Sequence, residues 1–323
     1  MNDLSVQEMN QTVILNKGDV ASKRAEIKTY FNYTWEQYEL LFDVLASDEV
    51  FYERPQPLRH PLLFYVGHTA TFFVNKLVLG KLLSERINPR FESLFAIGVD
   101  EMSWDDLNDA HYEWPQVAEV FAYRDQVKVA VNQVIDEMEI TIPIAWESPA
   151  WTILMGIEHE RIHLETSSVL IRQLDLSLVK SIDAFAPHEA DGREAPQNEL
   201  ISVEGGTVEL GRQTHEIYGW DNEFGETVYD VASFRASKYL VSNQEFLGFM
   251  EAGGYKQNGW WSDEGRSWRE YHQADKPEFW RGEAGEYRLR LMTNEIALPM
   301  NWPVEICYHE AQAFCNWKSA QSG

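Results

Sequence analysis

Hydrophobic residues recur at helical spacing in four stretches of the first half of the chain. From Ser22 to about Ala46 the residues Ile27, Tyr30, Phe31, Trp35, Tyr38, Leu41 and Leu45 share one helical face. A second helix is expected from Pro61, a residue favoured in the first turn, to about Leu83. It is apolar nearly all round, which places it centrally. Further helices fit about Gln116–Met138 and Pro149–Leu174. Four such helices predict a bundle over residues 20–178 with one long crossover. The run 86-RINPRFESLFAIGVDEMSWDDLNDAHYEWP-115 supplies a long irregular connection, and such loops often carry function. Residues 1–19 are polar and aperiodic and read as a flexible tail.

After the bundle the texture changes. Pro, Gly and charge mark 179–198 as a linker. Over 199–323 short strand-like runs (ISVEGGTVELG, VYDVASFRASKYLVS, YRLRLM) alternate with helical pieces at Asn243–Ala252 and Tyr308–Lys318. This is the pattern of an irregular α+β domain.

Composition narrows the classes. The chain has 323 residues, 44% hydrophobic and 24% charged, an ordinary globular make-up with length for two cores. A net charge of −25 disfavours nucleic acid and anionic membrane surfaces as partners. No unbroken apolar run reaches the ~18 residues that a membrane span needs. The first residues lack the basic and apolar regions of a signal peptide. The two cysteines, Cys307 and Cys315, form no disulfide framework, so a reducing cytoplasm is the expected setting.

The chemistry concentrates in 158-EHERIHLE-165, which contains H-E-x-x-H. At ~100° per residue, His159 and His163 lie ~40° apart on one helical face and can reach one cation. Glu158, Arg161, Glu165, Ser168 and Arg172 form a charged stripe, expected to be solvated or to face another element. Ile153, Ile157, Leu164 and Ile171 form an apolar one. The histidines therefore point inward, where buried imidazoles need partners, and a shared metal is the simplest. Glu165 falls on the charged stripe, where an ion pair with Arg161 or Arg172 is its ordinary reading. Glu160 stands where a zinc peptidase keeps its general base. The longer peptidase pattern fails, with Thr166 and Val169 in place of its Gly and His. A third ligand is expected from the second helix, where His68 is followed two turns on by Asn75. His60, His111, His188, His215, His272 and His309 read as ordinary loop or core histidines. Three neutral imidazoles leave a six-coordinate ion three open positions, and spacing does not exclude zinc.

The runs 60-HPLLFYVGHTATFFVNKL-77, 86–115 and 152-TILMGIEHERIHLETSSVLIRQL-174 resemble the 5-histidylcysteine sulfoxide synthases of ovothiol biosynthesis, whose sister family makes the ergothioneine sulfoxide. In the second half the resemblance rests on GGTVELG, on 221–255, on the Trp260-Trp261 pair and on 303-PVEICYHEAQAFCNW-317. It implies a DinB-like four-helix bundle followed by a C-type-lectin-like domain of the formylglycine-generating-enzyme type. It also implies a non-haem Fe(II) enzyme that couples L-cysteine sulfur to the imidazole C5 of L-histidine with O2. The family's HxxxHxE motif maps onto His159, His163 and Glu165, with His68 from the earlier helix.

Arg86 and Arg90 suit amino-acid carboxylates, and Asp100, Glu101, Asp105 and Asp106 suit ammonium groups; surface charge is the ordinary reading of each. Relative to the family the second domain stops early, at 316-NWKSAQSG-323, and no methyltransferase domain follows. Exposed core surface, poor solubility and low turnover are therefore expected of this chain alone. Hercynine as the acceptor, a zinc hydrolase using Glu160 and an inactive metal-binding fragment are the alternatives. Oligomeric state is not legible.

Overall fold

A computed structural model describes residues 11–96, 112–186, 190, 192–213 and 216–322. The chain forms two compact units, Met1–Ala186 with Leu210–Thr227, and Pro187–Glu209 with Val228–Gly323.

The first unit is the expected bundle, built from α1 (Val20–Phe42), α2 (Leu62–Leu79), α4 (Val117–Glu137) and α5 (Pro149–Arg172), with a short α3 (Pro89–Leu94) in the long connection. Each start has a local cause. Asp19 accepts from the backbone N–H groups of Ala21 and Ser22, so α1 begins two residues before the expected Ser22. Gln116 and Glu119 form a capping box on α4. Ser148 caps α5, and Pro149 occupies its first turn. Helix α2 stops at Gly80 rather than Leu83, because Lys81 turns left-handed (φ 58°) and Leu82 N–H bonds back to the Leu77 carbonyl at 2.8 Å.

Helix α2 packs against both α4 and α5, and α1 also packs on α5. Every residue from Pro61 to Thr71 is buried. By length and composition alone Leu62–Leu79 would suit a membrane, but here it is the core helix of the bundle. Burying each Leu, Phe or Val along it contributes about 1.5–3 kcal/mol. Two glycines set how closely its neighbours approach. A Cβ on Gly156 of α5 would lie 2.2 Å from the Phe73 ring of α2, and one on Gly67 would lie 2.5 Å from the ring of Phe95.

Two boundaries differ from the sequence reading. Residues 13–15 are not loose: Val13 and Leu15 are buried, and Leu15 bonds to Glu216 and Ile144 backbone groups at 2.7 and 3.0 Å. Residues 210–227, assigned by sequence to the second domain, belong to the first unit, where Tyr218 packs on Trp151 (4.9 Å) and Phe224 on Trp146 (5.2 Å). The cause is apolar: these rings find aromatic partners at the start of α5.

The second unit is α+β. Strands β1 (Leu200–Val203) and β4 (Phe234–Ser237) pair antiparallel, with Leu200 opposite Ser237. Strands β2 (Gly206–Leu210) and β3 (Thr227–Val231) pair with each other. Strands β5 (Trp280–Arg281), β6 (Arg288–Arg290) and β7 (Glu295–Ala297) form a three-stranded antiparallel sheet. Phe246, Phe249, Tyr255, Trp261 and Phe314 make its main core, between α6 (Asn243–Glu251) and α8 (Tyr308–Ser322). Helix α7 (Asp263–His272) was not anticipated from periodicity, being strongly polar. On strands β1 to β4 the apolar residues Leu200, Ile201, Val208, Val228, Tyr229 and Phe234 are exposed. Cys315 is exposed and Cys307 is half-buried.

Because Phe73 lies against bare backbone at Gly156, Gly156→Ala is expected to destabilise the bundle by about 1–3 kcal/mol through overpacking. Urea unfolding of wild type and variant checks this, and an unchanged midpoint would mean the helices separate freely.

Candidate metal centre

The three expected ligands come together. His68 projects from α2, and His159 and His163 project from successive turns of α5. Their donor atoms all lie within 4.8 Å of one another, with His68 Nε2 and His159 Nε2 3.3 Å apart. Two donors bound at ~2.1 Å to a shared ion are separated by about 3.0–3.4 Å, depending on the coordination angle. The ring centroids of the three imidazoles are 4.5–5.0 Å apart.

Orientation comes from the next layer. The His68 Nδ1–H donates to the Phe95 carbonyl at 2.7 Å, because a carbonyl oxygen only accepts. That fixes the tautomer and leaves the Nε2 lone pair facing the other histidines. Gly67 is what lets Phe95 sit this close. Phe72 stacks flat on His159 at 3.8 Å, and Phe64 stacks on His68 at 5.2 Å. These rings exclude water from one side of the cluster.

Electrostatics agree with a site for a cation. Burial, followed by the neighbouring His68, holds His163 down at about 3. Burial, followed by His163, His68 and Lys76, holds His159 well below the usual imidazole range. Both rings stay neutral at ordinary pH, the form that binds metal. The Nδ1 atoms of His159 and His163 are buried without hydrogen-bond partners. Three imidazoles converging in an apolar, aromatic setting, two of them held neutral by burial, fit a divalent transition ion.

Glu165 is exposed and lies outside the histidine cluster, and its expected partner Arg161 covers the Tyr30 ring at 5.2 Å. The charged stripe is not uniformly solvated: Glu158 accepts from the Tyr30 hydroxyl at 2.8 Å, and burial raises its carboxyl.

Glu160 is not placed as a general base. It is fully buried on the flank of α5, where its Oε1 accepts from Arg124 at 2.9 Å and from Thr69 at 3.2 Å. Arg124 and its partner Glu39 were missed by sequence reasoning. The available signal was Arg124 standing at a heptad position among Val117, Val120, Val127, Val131 and Val134.

Asn75 and Arg86 also meet. Arg86 donates to Asn75 Oδ1 at 2.6 Å and to the buried Glu92 at 3.0 Å, while Glu92 accepts from the backbone of Ile87 and Asn88. They border an open cavity of about 570 Å³, lined also by Val78, Leu79 and Ser93 and by none of the three histidines. Arg90 is exposed and is not among the residues lining it. Asp100, Glu101, Asp105, Asp106, His111, His188 and His215 lie outside the described residues. His60 is a buried ring stacked on Phe64 at 4.3 Å, in line with its ordinary reading.

Comparison with known families matches the bundle to the DinB superfamily over residues 30–167. Residues 185–321 match the sulfatase-modifying factor enzyme 1-like domain. The fold is thus a DinB-type helical bundle followed by a C-type-lectin-like domain of the formylglycine-generating type, as the sequence led one to expect. Among particular relatives, the chain is 25% identical over 233 residues to ergothioneine biosynthesis protein 1 of Neurospora crassa, covering 67% of this chain and 26% of that protein. It is 31% identical over 169 residues to the hercynine oxygenase of Mycolicibacterium thermoresistibile, covering 52% and 36%. It is 30% identical over 178 residues to that of Mycolicibacterium smegmatis, covering 54% and 40%. The chain therefore spans between about a quarter and two-fifths of these relatives' length.

The depressed histidines make a pH prediction for the metal-free chain. Both folded-state values lie below the ordinary ~6.5, so the unfolded chain takes up protons first as pH falls. The stability that depends on neutral rings is present above about pH 6.5 and is lost towards about pH 3, by up to ~1.4 kcal/mol per pH unit per ring. Urea midpoints measured from about pH 7 to about pH 4.5 should fall, and His163→Asn should flatten the slope. A flat wild-type profile would show that the rings are not buried.

Proposed function

We propose that this chain carries the metal-binding bundle of a non-haem Fe(II), O2-dependent sulfoxide synthase that joins L-cysteine sulfur to the imidazole C5 of L-histidine. The observation that carries this reading is the convergence of three imidazoles from two helices. In the reaction a C–H and an S–H bond give way to a C–S bond and a sulfoxide, and the second oxygen atom leaves as water. His68, His159 and His163 would hold the iron, which when bound supplies a Lewis-acidic, redox-active centre. The protein's own part is positioning. Phe95 orients His68 through its carbonyl, and Phe64 and Phe72 keep water from one side. Arg86, steadied by Asn75 and Glu92, presents a guanidinium at the cavity for an amino-acid carboxylate. The L-histidine acceptor rests on the resemblance of the 86–115 run.

A second reading, with hercynine as the acceptor, is favoured by the names of two relatives, both hercynine oxygenases. The zinc hydrolase reading is disfavoured because the Glu160 carboxylate is tied to Arg124 and Thr69.

Two measurements test the proposal. Cobalt(II)-loaded protein should gain a sulfur-to-metal charge-transfer band on titration with L-cysteine. Fe(II)-loaded protein given O2, L-cysteine and a mixture of L-histidine and hercynine should form the histidine sulfoxide in excess by mass spectrometry. Predominant hercynine product would move the reading to the ergothioneine type. Peptide hydrolysis abolished by Glu160→Gln would replace it with a hydrolase.

A further inference from the structure

Beside the histidine cluster lies a buried ion network that touches all four bundle helices. Arg124 of α4 is fully buried. Its Nε donates to Glu39 of α1 at 2.9 Å. Its Nη1 donates to the Val66 carbonyl at 2.9 Å and to the Thr69 hydroxyl at 2.7 Å, both on α2. Its Nη2 donates to Glu160 of α5 at 2.9 Å, and the Thr69 hydroxyl donates to the same carboxylate oxygen. The guanidinium lies over the Trp35 ring at 4.0 Å, and the Trp35 indole N–H donates to Glu39 at 2.7 Å.

The placement of these partners is the informative part. Thr69 directly follows His68, and Glu160 directly follows His159. Arg124 therefore grips the residue after a ligand on each of the two helices that supply ligands. On the opposite flank of α5, Glu158, the residue before His159, is held by the Tyr30 hydroxyl. His159 is thus bracketed by two anchored carboxylates, which fix the rotation of α5 about its own axis. An imidazole nitrogen stands roughly 6 Å from a helix axis, so a rotation of about 10° moves it about 1 Å. Metal–ligand distances tolerate only about ±0.2 Å.

Stability alone gives little reason for such a group. A guanidinium and the Glu160 carboxylate in a core, with the half-buried Glu39 at its edge, are costly to desolvate, and a well-packed apolar residue at the same heptad position is commonly as stable or more so. What a multidentate guanidinium adds is directional: four hydrogen bonds that are satisfied together in only one arrangement of the helices.

We infer that Arg124, acting through Thr69 and Glu160, is a positioning residue that sets the phase of the two ligand-bearing helices and so the geometry and affinity of the three-histidine metal site. The inference rests on the metal-centre reading proposed above.

The test is cobalt(II) titration of the full chain, followed by the visible ligand-field spectrum and by urea unfolding of the metal-free protein. Arg124→Met, Glu160→Gln and Thr69→Val are compared with Val131→Ala, a core change on the same helix outside the network. The network variants are expected to weaken cobalt binding by about 10–100-fold and to alter the ligand-field bands, the scale seen when groups behind metal ligands are removed. Val131→Ala, even with an equal fall in urea midpoint, should leave affinity within about threefold and the spectrum unchanged. Glu160→Gln keeps shape while weakening the Arg124 contact, and Thr69→Val deletes one hydroxyl; these carry the test should Arg124→Met not fold. Failure of the wild type to bind cobalt would sink the metal centre itself. Wild-type affinity and spectrum in the network variants would overturn the positioning role alone, as would equal loss of affinity in Val131→Ala.

Discussion

The close approach of α2 and α5 is the constraint on which the metal centre depends. His68 sits on one helix and His159 and His163 on the other, so a common ion is reachable only if the helix axes stay close. That spacing is made by bare backbone: Phe73 of α2 lies where a side chain at Gly156 of α5 would be. The same device recurs beside the site, where the absence of a side chain at Gly67 admits Phe95, whose carbonyl then orients His68. Glycine is unfavourable in a helix interior by roughly 0.5–1 kcal/mol relative to alanine. Its presence at both positions is explained by the aromatic rings it admits.

Within that frame the chemistry follows from desolvation. An imidazole near water titrates near neutrality and would be half protonated in mild acid. Phe64 stacks on His68 and Phe72 on His159, and burial holds His159 and His163 neutral with their Nδ1 atoms unpartnered. Neutral ligands would leave a bound cation's charge uncompensated, so anionic ligands such as a thiolate and carboxylates are the natural complement. Glu165, the acidic residue of the family motif, does not offset that charge, because it is exposed on a different side of α5.

Most of this frame was legible in the sequence because it is periodic. The four helices announce themselves through residues three and four apart, and the inward direction of His159 and His163 follows from the positions of Ile153 and Ile157 on the same helix. His68 was legible only by context, as the one histidine inside a helix apolar all round. What was not legible depends on contacts between segments distant in sequence. No local rule brings Tyr218 and Phe224 back to Trp151 and Trp146, and so the boundary at residue 199 did not hold. No spacing rule joins Glu39, Thr69, Arg124 and Glu160, because each lies on a different helix. Helix α7 escaped because its ten residues are mostly polar and carry few apolar positions from which to read a period.

The motif H-E-x-x-H shows why a pattern must be read with its partners. Its two histidines share a face by helical geometry, whatever the protein. Its glutamate stands about 80° from that face and joins whatever the neighbouring helices provide. In a zinc peptidase it must meet the metal-bound water as a free carboxylate. Here the neighbours offer Arg124 and Thr69, and the carboxylate is spent on them in a site with no exposure to solvent. Both bonds go to Oε1, and Oε2 is buried away from solvent, so the carboxylate belongs to the ion network rather than standing open to water. The glutamate that suggests a hydrolase is thus claimed by a single arginine on the preceding helix, α4.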